Sequence, residues 1–501
     1  MVNMDYLDPK KEARHRIVLF TGYACIAVAI GLTSMVLLYQ AYGFGVQKNG
    51  NVTQNGLAFF SSQPNPANVV IDGKPTRYST NTRVSLASGV YNVDLSRAGY
   101  NSWKRTIEIK GGGVHHFDHP FLIPSTLTTK EVKAYSPAPG FTAQSSDRRW
   151  LMVQQPNSIL GFDVFDLKSP EKPPVILNLP ANLVTKTTGP QSWKYVSWAS
   201  DNENVLLEHV YDGKSEFVLV NRTAPEESRN LNNLLGVQPS KLTLIDKKFD
   251  KYHLYNQTNR TLQTASISAP TPVTVLENVI AYKSYGNDTI LYATDKDQPA
   301  GTIVIRLKSG DNTYNIRTFA AGSNYLLDLT KYSGDLYVAA GSSALGKVYI
   351  YKDPIGQNNT IDRSQSPAKK SNPPVSVLRV NAASYMSFSN SAQFIMAQNG
   401  NQYGVYDFEN ERVYNYTTSQ PMDSPAVNAT WMDGSRLSYV SGGKTFIFDY
   451  DYTNPQFLSP AGSNYLPAFS PNYKAVYTFR PAAIPAQINL VETSLRTVAD
   501  K

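Results

Sequence analysis

The chain predicts a mostly β protein: a single N-terminal transmembrane helix, a small β-sandwich, then a seven- or eight-bladed β-propeller. Three observations lead there. An uncharged, mostly apolar run, Ile17–Tyr39, follows a short basic segment. Tyr is abundant, at 32 of 501 residues. Together with Val and Thr it favours strands, while Asn, Gly, Ser and Pro supply turns. Beyond residue 125, a strand, a polar turn and a second strand recur eight times.

The apolar run sets the first boundary. As a helix, its 23 residues span about 35 Å, enough for about 30 Å of hydrocarbon. Lys10, Lys11, Arg14 and Arg16 precede it, and only Lys48 follows closely. The positive-inside rule therefore places residues 1–16 in the cytoplasm and the remainder outside, as a single-pass protein of the cell membrane. Tyr39, Tyr42 and Phe44 suit the outer interface. Ala41-Tyr42-Gly43 could serve as a cleavage site, but the run exceeds the 7–15 residues of a signal-peptide core. Acylation at Cys25 is disfavoured because the apolar run continues to Leu38. A tail of about 16 residues is too short for a folded signalling domain.

Cys25 is the one cysteine, so no intrachain disulfide can form. A large exported chain without disulfides points to a bacterial or archaeal surface. Charged residues are 17% and the net charge is +8, without a dense Lys/Arg run. This pattern gives no reason to expect a nucleic-acid partner.

A linker is expected over 40–54, then a sandwich over 55–124. Asn68–Ile71 reads as a strand closed by Asp72-Gly73, a hairpin signal. Gly89–Leu95 alternates, with Tyr91, Val93 and Leu95 on one face. Ser96–Tyr100 is a turn, Arg105–Ile109 a further strand, and Gly111-Gly112-Gly113 a loop. The residues Val70-Ile71-Asp72-Gly73, Ala87-Ser88-Gly89-Val90-Tyr91-Asn92-Val93, Ala98-Gly99-Tyr100 and Trp103 resemble the PEGA domain. Of its eponymous tetrapeptide only Gly89 remains. The resemblance implies a small exported β module in which Asp72, Gly73, Gly89, Tyr91, Gly99, Tyr100 and Trp103 are structural. Gly89 and Gly99 are expected in turn conformations that L-residues resist.

From 125 to 501 the recurring copies are Ser146–Arg149, Trp198–Asn204, Asp246–Asp250, Gly286–Asp288, Ser333–Asp335, Ser387–Ser391, Trp431–Gly434 and Phe469–Asn472, each leading into an apolar strand. Copies lie roughly 38–55 residues apart, the period of a four-stranded propeller blade. Trp198-Ala199-Ser200-Asp201 and Phe469-Ser470-Pro471-Asn472 resemble TolB-like and WD-type repeats, although the Trp-Asp and Gly-His marks are absent. Ser309–Tyr314 and Pro354–Pro374 are expected to project as rim loops.

Catalytic signatures are weak. His115 and His119 could share a strand face, but no third ligand at fixed spacing is evident. Ser145–Trp150 is an imperfect sialidase-type Asp box. No Gly-x-Ser-x-Gly elbow occurs. Eight Asn-x-Thr sequons (Asn51, Asn221, Asn256, Asn259, Asn287, Asn358, Asn415, Asn428) read as turn composition. No catalytic, cofactor or metal residue is assigned. The expected function is a non-enzymatic surface protein that binds a wall or glycan polymer or an envelope protein. The alternatives are a propeller enzyme acting on carbohydrate and a scaffold subunit of an envelope or transport complex. Aspartates converging on the channel would favour the enzyme; Asp201, Asp250, Asp288, Asp335 and Asp433 all fall in repeat turns.

Overall fold

A computed structural model describes residues 9–46, 52–322, 324–355, 373–424, 427–484 and 486–500. The chain divides into two units, residues 1–125 with Asp500, and residues 126–499 with Lys501.

The first unit opens with a helix over Pro9–Ala41. It is longer than the apolar run because Lys10–Arg16 are good helix formers, Pro9 suits a first helical position, and Glu12 pairs with Arg16 at 3.6 Å. At about 50 Å it exceeds the hydrocarbon thickness, so its basic turns extend beyond the apolar stretch. Every position from Lys10 to Tyr42 is exposed. Thr21 and Thr33 donate their hydroxyls to the carbonyls of Ile17 and Ala29, each at 2.8 Å, so these polar groups are satisfied within the helix. Gly43, at φ 77°, ends it.

The expected linker already contains a strand. Phe44–Val46 pairs with Val52–Phe60, and residues 47–51, including Asn51, lie outside the described residues. Val52–Phe60 also pairs antiparallel with Thr82–Ala87 and parallel with Val114–Phe117. A second sheet runs Lys74–Ser79, Asn68–Ile71, Gly89–Ser96, Trp103–Ile109. Between the sheets lie Phe60, Val69, Val93, Leu95, Trp103, Ile107 and Ile109. Asp72 and Gly73, at φ 49° and 72°, form the two-residue hairpin turn, and the Asp72 carboxylate accepts from the Asn92 amide at 2.9 Å.

Among the described residues the second unit contains eight four-stranded antiparallel sheets, which gives eight blades. Blade 1 is Thr142–Gln144, Trp150–Gln154, Gly161–Asp166 and Val175–Asn178. The first strands of blades 2 to 7 are Gln191–Trp198, Lys241–Leu244, Val279–Tyr285, Tyr325–Tyr332, Tyr385–Phe388 and Thr430–Trp431. Each is followed by its three partners in chain order. Blade 8 is built from both ends of the unit: Ala468–Phe469, Ala475–Pro481 and Ile488–Ser494 are completed by Thr128–Tyr135. This closes the ring by pairing strands from the two ends of the unit in one sheet. All eight turns read from the sequence join a first strand to a second.

Apolar clusters fill the gaps between neighbouring blades. Trp193, Trp198 and Val218 meet Phe162 and Leu177 between blades 1 and 2; Tyr337 and Ile350 meet Ile395 and Phe408 between blades 5 and 6. Both faces of each sheet are thus covered, which explains runs such as Asn204–Leu207, buried throughout. Asp163, fully buried, accepts from Lys133 at 2.6 Å, Tyr135 at 2.8 Å and Gln155 at 3.0 Å, and so latches the closing strand to blade 1.

One expected rim loop is absent. Ser309 pairs directly with Asn312, so Ser309–Tyr314 is a tight hairpin around Gly310-Asp311, with Gly310 at φ 55°. A Ser-Gly-Asp-Asn sequence suits a two-residue connection as well as a loop. Most of Pro354–Pro374, including Asn358, lies outside the described residues.

Candidate binding site

The first strands of blades 2 and 3, 4 and 5, and 5 and 6 adjoin one another. They are therefore the inner strands and form the wall of the central channel. At the end where these strands begin, a cavity of about 440 Å³ opens. Its lining comes from five blades: Phe141 before blade 1, Tyr195 in blade 2, Tyr385 in blade 6, Asn428 and Thr430 in blade 7, and Tyr465 before blade 8. Among the described residues no charged side chain contributes to this lining.

The rings are held in place by their surroundings. A bulge between Tyr195 and Ser197 leaves Tyr195 48% exposed, while its hydroxyl accepts from the Trp198 amide at 3.1 Å. The Tyr465 hydroxyl donates to the Pro139 carbonyl at 2.7 Å, and its ring lies 4.6 Å from that of Phe479. Loss of hydration pushes both phenols above their ordinary range, so they are neutral donors near pH 7. A preformed aromatic cavity with a few amides and hydroxyls suits a ligand that has apolar faces and polar edges.

The channel wall differs in charge from one side to the other. The first strands of blades 2 to 5 carry Lys194, Lys241, Lys283, Asp328 and Lys331, whereas those of blades 6, 7, 8 and 1 carry no charged residue. Lys194 faces Glu208 at 3.8 Å and Lys283 faces Asp328 at 3.3 Å. Lys241 stands 5.0 Å above the Tyr282 ring. Lys241 is exposed, and partial desolvation beside that ring, then the field of Lys283, lower its pKa from the usual lysine value. Beneath it, the hydroxyls of Tyr282 and Thr243 meet at 3.0 Å, and the ring of His253 lies edge-on to Tyr282 at 6.1 Å. His253 is 2% exposed and neither ring nitrogen has a protein partner; desolvation lowers its pKa to about 4.

A second cavity on the same face, about 490 Å³, lies among the loops of blades 3 to 5 and is crossed by an Arg260–Asp295 ion pair at 2.7 Å.

The residues singled out from sequence fall elsewhere. Asp201 accepts from the amides of Glu203 and Asn204, and Asp433 from those of Ser435 and Arg436. Asp335 pairs with Lys352 at 2.9 Å. These are turn-stabilising contacts on the face opposite the cavity. Asp147 likewise accepts from the Arg149 amide within the Asp-box-like turn. His115 accepts from the Lys110 amide, His116 stacks on Phe59, and His119 meets Arg105, each with a different partner. In the sandwich, Gly99 has φ 80°, Tyr100 is 8% exposed and Trp103 is 1% exposed. Gly89 departs from expectation: it opens an extended strand, with no left-handed backbone. The Tyr91 ring folds back beside it, and the Tyr91 hydroxyl donates to the Ala87 carbonyl at 2.9 Å. The mouth aromatics were missed in the sequence. Their signal, an aromatic within a few residues of a blade's first strand, is readable only once that strand is known.

The PEGA domain family model matches residues 57–121. No curated protein matches the chain in sequence. Among solved structures, the chain is similar to Kluyveromyces lactis Hsv2, at 12% identity and TM-score 0.40, covering 65% of this chain and 98% of that one. It is similar to the Dos1 propeller at 12% identity and TM-score 0.43, covering 73% and 95%. The Myceliophteria thermophila Cps50 (Swd1) β-propeller domain gives 11% identity and TM-score 0.36, covering 73% and 99%.

Proposed function

We propose that this chain is a non-enzymatic binding protein, tethered by its helix, with the PEGA domain and propeller outside the cytoplasm and the channel mouth as the contact surface for an envelope component. The observation that carries this reading is the charge-free aromatic cavity gathered from five blades onto one face. Three further features support it. The helix is long and apolar enough to cross a bilayer. Its flanking charge favours a cytoplasmic N-terminus. The repeat aspartates Asp201 and Asp433 hold the backbone of their own turns.

Two experiments test the two halves of the proposal. For topology, Ser268, an exposed position of blade 3, is replaced by Cys and intact cells are treated with a membrane-impermeant maleimide. Labelling before lysis agrees with the reading; labelling only after lysis contradicts it. For the binding face, a photo-crosslinking residue replaces Leu466, which is 47% exposed at the mouth. A discrete envelope adduct from this position is the expected result, and no adduct from it would sink the assignment.

A further inference from the structure

We infer that the channel takes an acidic oligosaccharide, its sugar rings on the aromatic mouth and its carboxylate or phosphate groups on the lysine wall. This rests on the binding role proposed above and names the ligand class for that same site.

The argument is one of complementarity across the channel. On the side of blades 6, 7, 8 and 1, the wall offers ring faces and neutral polar groups, from Tyr385, Asn428, Thr430 and Tyr465. Sugar rings present apolar C–H faces and hydroxyl edges, which match fixed aromatics interspersed with amides and hydroxyls. On the side of blades 2 to 5 the inner strands carry four lysines against one aspartate. Lys194 and Lys283 have acidic neighbours, whereas no ion pair forms at Lys241 among the described residues. The two sides join at blade 2, where Lys194 on the basic wall is followed by Tyr195 in the cavity lining.

Lys241 is the focus of the basic side. Its ammonium loses hydration and feels Lys283, both of which disfavour its charge. An anion beside it offsets the repulsion from Lys283. Charge alone would attract any polyanion, and rings alone would accept neutral sugars. The arrangement selects for both on one chain. A cavity of about 440 Å³ is within the range of small-ligand sites and admits only a short segment of a polymer.

The test uses the full chain in lipid nanodiscs and fluorescence anisotropy with labelled probes. Hexagalacturonate supplies rings with carboxylates, a phosphate-substituted hexasaccharide supplies rings with phosphates, maltohexaose supplies rings alone and polyphosphate supplies charge alone. The expected result is that one acidic hexasaccharide binds at least about tenfold tighter than maltohexaose and polyphosphate, with affinity falling as salt rises. Comparing the two acidic probes identifies which anion is preferred. Lys241→Gln is expected to lower that affinity about tenfold, while Tyr385→Ala lowers affinity for acidic and neutral hexasaccharides alike. Circular dichroism checks that both variants keep the native sheet signal. Equal binding of maltohexaose or of polyphosphate, unchanged affinity in a folded Lys241→Gln protein, or no binding of either acidic probe at millimolar concentration would overturn the inference. A protein adduct at Leu466 combined with no acidic-glycan binding would sink this inference and leave the binding role standing.

Discussion

His253 gives the most quantitative prediction. The imidazole sits on the second strand of blade 3, opposite Thr243 and Thr264, with the edge of Tyr282 against it from blade 4. Lys241 is the nearby cation, two residues from Thr243 on the same sheet face. Neither Thr nor the neutral Tyr can compensate a buried imidazolium, and desolvation lowers the pKa from 6.5 to about 4. The unfolded chain therefore binds more protons than the folded one between those values, and stability falls as pH drops through that window. The shift corresponds to about 3 kcal/mol, fully expressed above pH 6.5 and lost by about pH 4. His253→Leu removes the titration. In denaturant unfolding of the full chain in detergent, wild type should lose about 3 kcal/mol more than the variant between pH 6.5 and 4. Parallel pH profiles for the two proteins would refute the reasoning.

The other predictions concern closure and packing. Asp163→Ala removes the acceptor of Lys133, Tyr135 and Gln155. It should cost about 3–5 kcal/mol and make the strand Thr128–Tyr135 the first site of limited proteolysis. Arg436 is 4% exposed and bridges Asp433 and Asp449, the latter at 3.3 Å; Arg436→Ala should lower the unfolding midpoint by a similar free energy. Trp103→Ala empties the centre of the sandwich core and should cost about 3–5 kcal/mol, read as loss of hydrogen-exchange protection confined to residues 57–121. At Gly56 a Cβ would lie 2.5 Å from the Lys110 carbonyl oxygen. Gly56→Ala should therefore destabilise the same domain by about 1–3 kcal/mol, again read by exchange.

Much of the architecture was legible because it is carried by local signals. The apolar run is a composition signal, and Asp72-Gly73 is a turn whose conformation follows from two residues. Each repeat turn is polar and is followed by a buried second strand, as at Ala199–Glu203 before Val205. Eight repeats favoured eight blades over seven, but the way the ring closes was not legible, because Thr128–Tyr135 completes a sheet whose other strands begin some 340 residues later, a pairing that no local period encodes. Gly89 was misjudged because glycine at a strand start resembles glycine in a turn. The binding face was hidden for a related reason. Phe141, Tyr195, Tyr385 and Tyr465 are scattered along the chain and meet only when the ring closes, whereas the aspartates that stood out are repeated because every blade needs its turn stabilised.

The most direct test of the binding role compares the two propeller faces in intact cells. Photo-crosslinkers are placed singly at Leu466, at the mouth, and at Asn287, exposed in the first turn of blade 4 on the opposite face. The expected result is a discrete envelope adduct from Leu466, formed from outside the membrane, and none from Asn287. Equal adducts from both positions, or an adduct from Asn287 alone, would contradict the assignment of the channel mouth as the contact surface.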